Sequence, residues 1–378
     1  MMEYTGLHTG LNTPVRLSIQ DGSIQAVETI EAEEDLPFIG PPLLDMQVNG
    51  YCGININNEQ TASPEDLQKI TETFTELGIT FWVPTIITNA QENIINLLEN
   101  IREAVDMYPD VHKAVPGIHV EGPYISPEDG PRGAHDSRYV REPSIDEYRE
   151  WQEAAGGMVK IVTLAPEYEN ASEFIREIVK DGTVASLGHC GSDRDRILEA
   201  VDAGATLATH LGNGAHPMVP RHNCYIWELL AEDRIWAGLI GDGFHLPQAQ
   251  LKNFIRAKRP ERVVLTSDVV DLGGMDPGMY EFGAHTVKMR EDGKIVLAEN
   301  EDIMAGASFH LLFSIEHAVN LAGCSIVQAW NMASINPAEM MGISSYPRVE
   351  KGDPALFAVF RWIDGKLSIE HVIDERQY

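Results

Sequence analysis

The chain has 378 residues, 43% of them hydrophobic, which is enough to bury the core of one large domain and a smaller companion. Asp and Glu outnumber Lys and Arg by 58 to 28, a formal net charge of −30. That balance excludes nucleic acid and membrane as partners, but not a small anion held at a locally positive site. Four cysteines without CxxC spacing (Cys52, Cys190, Cys224, Cys324) suggest neither a zinc ribbon nor a disulfide framework. With no basic-then-apolar leader in the first ten residues and no apolar run of about 18 residues, the expected location is cytoplasmic.

In chain order, the first 40 residues alternate polar and apolar around the turn Asp21-Gly22 and predict short antiparallel strands. Gly40-Pro41-Pro42 then punctuates the chain. Short apolar runs at 43–48, 79–87, 114–120, 159–164, 184–187, 206–209, 236–240 and 263–266 predict strands. Amphipathic stretches at 64–77, 91–107, 145–155, 172–180, 194–203 and 247–257 predict helices between them. Eight strands alternating with helices give an α/β fold of the (β/α)8, TIM-like class. The competing doubly wound sheet calls for a Gly-rich phosphate fingerprint after its first strand, and none is found. Beyond Asp268 the pattern predicts a hairpin around Glu291-Asp292-Gly293, helices at 309–321 and 326–332, and strands again from Ala355. Residues 42–341 are therefore assigned to the barrel. Residues 1–41 and 342–378 are assigned to a small β-sandwich domain built from both chain ends.

Barrel chemistry sits at the C-terminal ends of the strands. Here the predicted strands end in Glu121, His189, His210, His245 and Asp268. A single His or Asp at a strand end is usually a loop hydrogen-bonder, but polar residues ending so many neighbouring strands meet around one mouth. Two imidazoles and a carboxylate suit a divalent metal with an open position for water, whose pKa falls to about 7. A free carboxylate beside it, Asp268, can then collect the water's proton and deliver it to a leaving amine. His119 shares a strand face with Glu121 and is read as structural. Gln47 and Asn49 alternate with Asp45 on the first strand. They are read either as contacts to water or substrate, or as ordinary strand-end polar residues. Arg221, with a planar guanidinium suited to phosphate, is read as an anion contact, against the alternative of a surface ion pair. His8, His112, His285, His310, His317 and His371 are read as surface or core histidines.

The segments Asp45-Met-Gln-Val-Asn-Gly50, His119-Val-Glu-Gly-Pro-Tyr124, Arg132-Gly-Ala-His135, Ser186-Leu-Gly-His-Cys190, Ala208-Thr-His-Leu-Gly-Asn213, Gly241-Asp-Gly-Phe-His245, Thr266-Ser-Asp268 and Ala305-Gly-Ala307 occur in this order. Ala333-Ser-Ile-Asn-Pro-Ala338 and Glu350-Lys-Gly-Asp-Pro-Ala355 follow them. Together they resemble the N-acetylglucosamine-6-phosphate deacetylases of the amidohydrolase superfamily over nearly the whole chain. The resemblance implies hydrolysis of the acetamide of N-acetyl-D-glucosamine 6-phosphate, giving glucosamine 6-phosphate and acetate. It implies Glu121, His189 and His210 as metal ligands, Asp268 as general acid/base and His135 as the group polarising the acetyl carbonyl. It places Asn213, Gly214, Arg221 and His245, with Gln47 and Ala307, around the substrate. It also implies a homodimer that shares phosphate contacts across its interface.

Two departures stand out. Gln47-Val-Asn49 occupies the place of the His-x-His that holds a second metal in many superfamily members, so one divalent metal per site is expected, Zn2+ with Fe2+ or another divalent metal as the alternative. After His210, an aromatic and an Asn-Ala-Met-Pro run give way to Gly212-Asn-Gly-Ala-His-Pro217. That change bears on substrate identity more than on reaction type. It motivates the rival of a related amidohydrolase acting on another N-acyl sugar or a cyclic amide. A catalytically silent barrel scaffold is the rival of another class.

Overall fold

The structure, a computed structural model, describes residues 1–32, 34–58, 62–282 and 285–375. Eight parallel strands pair in chain order: β1 (Leu44–Val48), β2 (Phe81–Ile87), β3 (Ile118–Glu121), β4 (Val159–Leu164), β5 (Val184–Leu187), β6 (Leu207–Ala208), β7 (Trp236–Ile240) and β8 (Val263–Thr266). β8 returns to β1 through a parallel bridge between Val48 and Val269. The Asp268 amide also donates to Gln47 O (3.0 Å) and the Asn49 amide to Val269 O (2.8 Å). The expected (β/α)8 barrel is thus the observed one. β1, β7 and β8 are buried on both faces, which is why their sequences read as apolar runs rather than alternations.

The helices form where the apolar spacing put them. In Pro64–Glu76, Leu67, Ile70, Thr71 and Phe74 make one buried stripe. Ser63 starts that helix by accepting from the Asp66 amide, and Pro64 fills its first turn. Gln91–Met107, Arg194–Ala203 and Ile326–Met332 match their expected bounds. Three short helices went unread: Pro109–Ala114, Tyr225–Ala231 and Ile335–Met340. The first of them delays β3 to Ile118. The expected hairpin is real, with the Arg290 amide bonded to Lys294 O at 2.9 Å. It belongs to a four-stranded sheet over Gly278–Phe282, His285–Met289, Ile295–Leu297 and Asn300–Met304. The side chain of His285 lies outside the described residues.

Both chain ends build one six-stranded sheet, ordered Lys366–Asp374, Leu356–Ile363, Phe38–Gly40, Met2–His8, Thr13–Gln20, Ser23–Thr29. It is antiparallel except where Leu7 and His8 run parallel to Phe38 and Ile39. Trp330 joins it to the barrel, stacking on Phe360 at 3.8 Å and donating from Nε1 to Pro41 O at 3.0 Å. His8 serves this sheet. Its Nε2–H donates to Val349 O, while Nδ1 accepts from the Gly10 and Leu11 amides. Inside the barrel, Leu44, Met46, Val83, Ile161, Leu207, Trp236 and Val264 pack with Met340, Met341 and Tyr346. Among the described residues no helix is long and apolar enough to cross a membrane.

Candidate active site

Glu121 ends β3, and His189 and His210 lie two residues past β5 and β6; all are buried. Glu121 Oε1 lies 2.8 Å from His210 Nε2 and 3.3 Å from His189 Nε2, and the two Nε2 atoms are 3.1 Å apart. Tetrahedral ligands at about 2.0–2.1 Å from a zinc-like ion stand about 3.4 Å from one another, so three donors this close fit one divalent cation. The tautomers agree. His189 Nδ1 faces Pro131 O at 2.8 Å and must donate there, which leaves Nε2 as a bare lone pair aimed at the cluster. Among the described residues this is the one group of His, Cys, Asp and Glu so arranged.

The backbone is bent to make this convergence. His189, His210 and Asp268 have φ of +51°, +25° and +52°, in or near a left-handed region that L-residues enter at a cost of about 1–2 kcal/mol each. Each lies just past its strand, where the turned backbone aims the side chain across the mouth. Gly214 is confined by the same design. At φ +55°, a Cβ there would lie 2.6 Å from His189 Nδ1, so glycine lets the loop lie against the ring. Beneath the site, Thr163 Oγ1 links His119 Nε2 and Thr209 Oγ1, each at 2.7 Å. His119 therefore props the barrel interior and does not join the cluster.

Electrostatics divides the two carboxyls. Burial alone would raise Glu121, but the two imidazoles overcome it and hold the group well below the usual carboxylate range. For Asp268, burial and then the charge of Glu121 push its carboxyl up to about 7, opposed by His210, His245 and the Asn49 amide. One carboxylate is thus kept ionised for a cation while the other is poised to exchange a proton near neutrality. His135 places Nε2 3.2 Å from His189 Nε2, and its Nδ1 meets Thr88 Oγ1 at 2.8 Å. Burial pushes it down to about 3, so the imidazole is neutral. It can donate from Nε2 when the Thr88 hydroxyl donates to Nδ1.

His245 Nδ1 pairs with Asp242 Oδ2 at 2.6 Å, leaving Nε2 for another partner. The Asn213 amide donates to His210 O at 3.0 Å, and its buried Nδ2 has no partner among the described residues. Ala307 is buried and bridged to Val269, and its carbonyl accepts from the Val270 amide at 3.0 Å. The altered loop is tied down by His216. Its Nε2 meets Glu128 Oε2 at 2.9 Å, and its backbone amide donates to the Tyr225 hydroxyl at 2.8 Å. Arg221 is exposed.

Gln47 and Asn49, left open between two readings, each donate to one of the two carboxylates. Gln47 Nε2 donates to Glu121 Oε1 at 3.0 Å, and Asn49 Nδ2 donates to Asp268 Oδ1 at 2.7 Å. Two supporting groups escaped the sequence: Thr88 behind His135 and the Pro131 carbonyl behind His189. Thr88 stands one residue past β2, the same strand-end position that marked the others.

The chain matches the amidohydrolase family profile over residues 38–373. It is 31% identical over 339 residues to the N-acetylglucosamine-6-phosphate deacetylase of Bacillus subtilis (strain 168), covering 86% of this chain and 83% of that protein. It is 28% identical over 365 residues to the N-acetylgalactosamine-6-phosphate deacetylase of Escherichia coli O157:H7, covering 93% and 94%. The crystal structure of the N-acetyl-D-glucosamine-6-phosphate deacetylase from Mycobacterium smegmatis superposes with a TM-score of 0.87 at 26% identity, covering 99% of each chain. The chain belongs to the amidohydrolase family, with the N-acetylglucosamine-6-phosphate deacetylases.

Proposed function

We propose that this enzyme hydrolyses the acetamide of N-acetyl-D-glucosamine 6-phosphate to glucosamine 6-phosphate and acetate. The observation that carries the reading is the convergence of Glu121, His189 and His210 on one point, with a proton-exchanging Asp268 beside it. Glu121, His189 and His210 would hold one divalent cation, Zn2+ by preference and Fe2+ otherwise, supplying Lewis acidity toward the acetyl carbonyl and toward water. Asp268 accepts the proton of the attacking water and returns it to the departing sugar nitrogen. His135 donates from Nε2 to the acetyl oxygen as negative charge builds there. Asn213, Gly214, His245 and Ala307 line the sugar, and Gln47 steadies Glu121. Arg221 serves the phosphate of a neighbouring subunit in a homodimer, which accounts for its exposure in the single chain. The working location is the cytoplasm. The division into a barrel at 42–341 and an end domain of 1–41 and 342–378 is part of the same proposal.

A second reading has its own support: the relative with the fuller two-way coverage is named for the galactosamine epimer. The test is acetate release by metal-analysed protein from N-acetylglucosamine 6-phosphate, its 4-epimer and the unphosphorylated sugars. Turnover of the first ahead of the others supports the proposal. Preference for the epimer replaces it with the second reading. Turnover indifferent to phosphate removes Arg221 from the scheme, and a protein without stoichiometric metal removes the mechanism.

A further inference from the structure

β1 grips the end of β8 at several points. Asp45 Oδ1 accepts from Thr266 Oγ1 (2.9 Å) and from the Ser267 amide (3.1 Å). Gln47 O accepts from the Asp268 amide, and the Asn49 amide donates to Val269 O. This grip fixes the backbone on both sides of Asp268, whose φ of +52° needs such support. What the backbone leaves free is rotation about the side chain's own bonds, which sets where the carboxyl group points. The Asn49 amide removes that freedom by donating from Nδ2 to Oδ1 at 2.7 Å.

We propose that Asn49 is the positioning residue of the general base: it occupies Asp268 Oδ1, fixes the plane of the carboxyl and leaves Oδ2 to take and return the reaction's proton. The chemistry of the amide supports the assignment. An N–H donor favours the ionised carboxylate, the form that must accept the water's proton. Asn49 Oδ1, by contrast, is buried and has no partner among the described residues, so the side chain is held through its donor end alone. Gln47 shows the same arrangement one step down the strand, donating to Glu121 while its own Oε1 has no partner. The two amides in place of His-x-His are thus assigned one to each carboxylate. The charged groups facing Asp268 are Glu121, His210 and His245, so a shift caused by Asn49 must be separated from theirs.

The inference rests on Asp268 being the base of the proposed deacetylation. Its test is built so that the two can fail separately. Zinc-loaded wild type, Asn49→Ala and Asn49→Leu are compared for kcat, KM and the acidic limb of kcat against pH. The Asp268 carboxyl is titrated directly by 13C NMR without substrate, its signal identified by loss in Asp268→Asn. Loss of the donor is expected to lower kcat ten- to hundredfold with KM within about twofold. The limb and the carboxyl midpoint should both rise by about one pH unit. Asn49→Ala should cost nothing further in the Asp268→Asn background, since it acts through that residue. Asn49→Leu keeps the approximate size of the side chain without a donor or a charge, and gives the same reading if the alanine variant does not fold. An unmoved carboxyl midpoint, a raised KM with kcat retained, or losses that multiply in the double variant would each overturn the assignment. A wild type that releases no acetate from any of the sugars overturns the deacetylase reading instead, while the NMR titration still decides Asn49's bond to the carboxyl.

Discussion

Asp45 is a buried carboxyl with three donors on one oxygen and none on the other: Oδ2 has no partner among the described residues. Burial outweighs the hydrogen bonds from Ser267 and Thr266 and pushes its pKa from 3.8 up to about 6. A group raised in this way gives the folded state its full benefit below pH 3.8, and that benefit is lost as pH climbs to about 6. The gap between 3.8 and about 6 corresponds to about 3 kcal/mol at neutral pH. Asp45→Asn keeps the accepting oxygen and removes the ionisation. It places an NH2 where Oδ2 has no partner, which costs about 1 kcal/mol. The variant is therefore expected to be about 2 kcal/mol more stable than wild type at pH 7.5. That advantage should shrink by about 1.4 kcal/mol at pH 5. Asp45→Ala loses the same ionisation but strands the Thr266 hydroxyl and the Ser267 amide, and should be about 2–4 kcal/mol less stable than Asp45→Asn at both pH values. Urea unfolding of the three proteins at the two pH values measures this directly. An asparagine variant less stable than wild type at pH 7.5, or a difference that does not move with pH, would refute the reasoning.

Asp268→Asn is expected to lower kcat by about 10²–10⁴ while metal content stays stoichiometric; near-normal turnover by a metal-loaded variant would dismiss Asp268 as the base. Gly214→Ala should drive a methyl into the His189 ring and loosen its hold on Pro131 O, weakening metal binding tenfold or more in competition with a chromogenic chelator. An unchanged affinity would show that the loop yields without disturbing His189. His216→Ala removes the ring's contacts with Glu128 Oε2 (2.9 Å) and with the Tyr225 hydroxyl (3.2 Å), while the backbone amide keeps its own bond to that hydroxyl. KM should rise severalfold with kcat nearly kept, because the exposed ion pair itself contributes under about 1 kcal/mol; a collapse in kcat would place His216 in the chemistry.

Much of this could be read before any coordinates, for a physical reason. Parallel barrel strands are buried on both faces, so they announce themselves as apolar runs, and polar residues ending those runs stand out. That exposed Glu121, His189, His210 and Asp268. Partnership was harder to read. Asn49 and Asp268 are 219 residues apart, and nothing in either neighbourhood says that one amide points at the other. A backbone carbonyl such as Pro131 O carries no side-chain signature at all. The short helix Tyr225–Ala231 was hidden because a single turn or two cannot display the 3.6-residue period. The sheet over 278–304 was reduced to one hairpin because its buried residues are few: Val287, Met289, Ile295 and Val296 anchor it among scattered polar positions.

The sheet of chain ends has a consequence for how the molecule is made. Phe38–Gly40 enters the barrel only a few residues before β1, yet its antiparallel partner is Leu356–Ile363, translated some three hundred residues later. Until that strand leaves the ribosome, Phe38 presents an unpaired edge and Trp330 lacks the ring of Phe360. At synthesis rates of about 5–20 residues per second, the nascent chain carries that open edge for about 15–60 s. A transcript truncated before residue 356 would thus release a barrel with a sticky seam, a natural target for chaperones and for proteolysis, while every residue of the catalytic mouth was already in place.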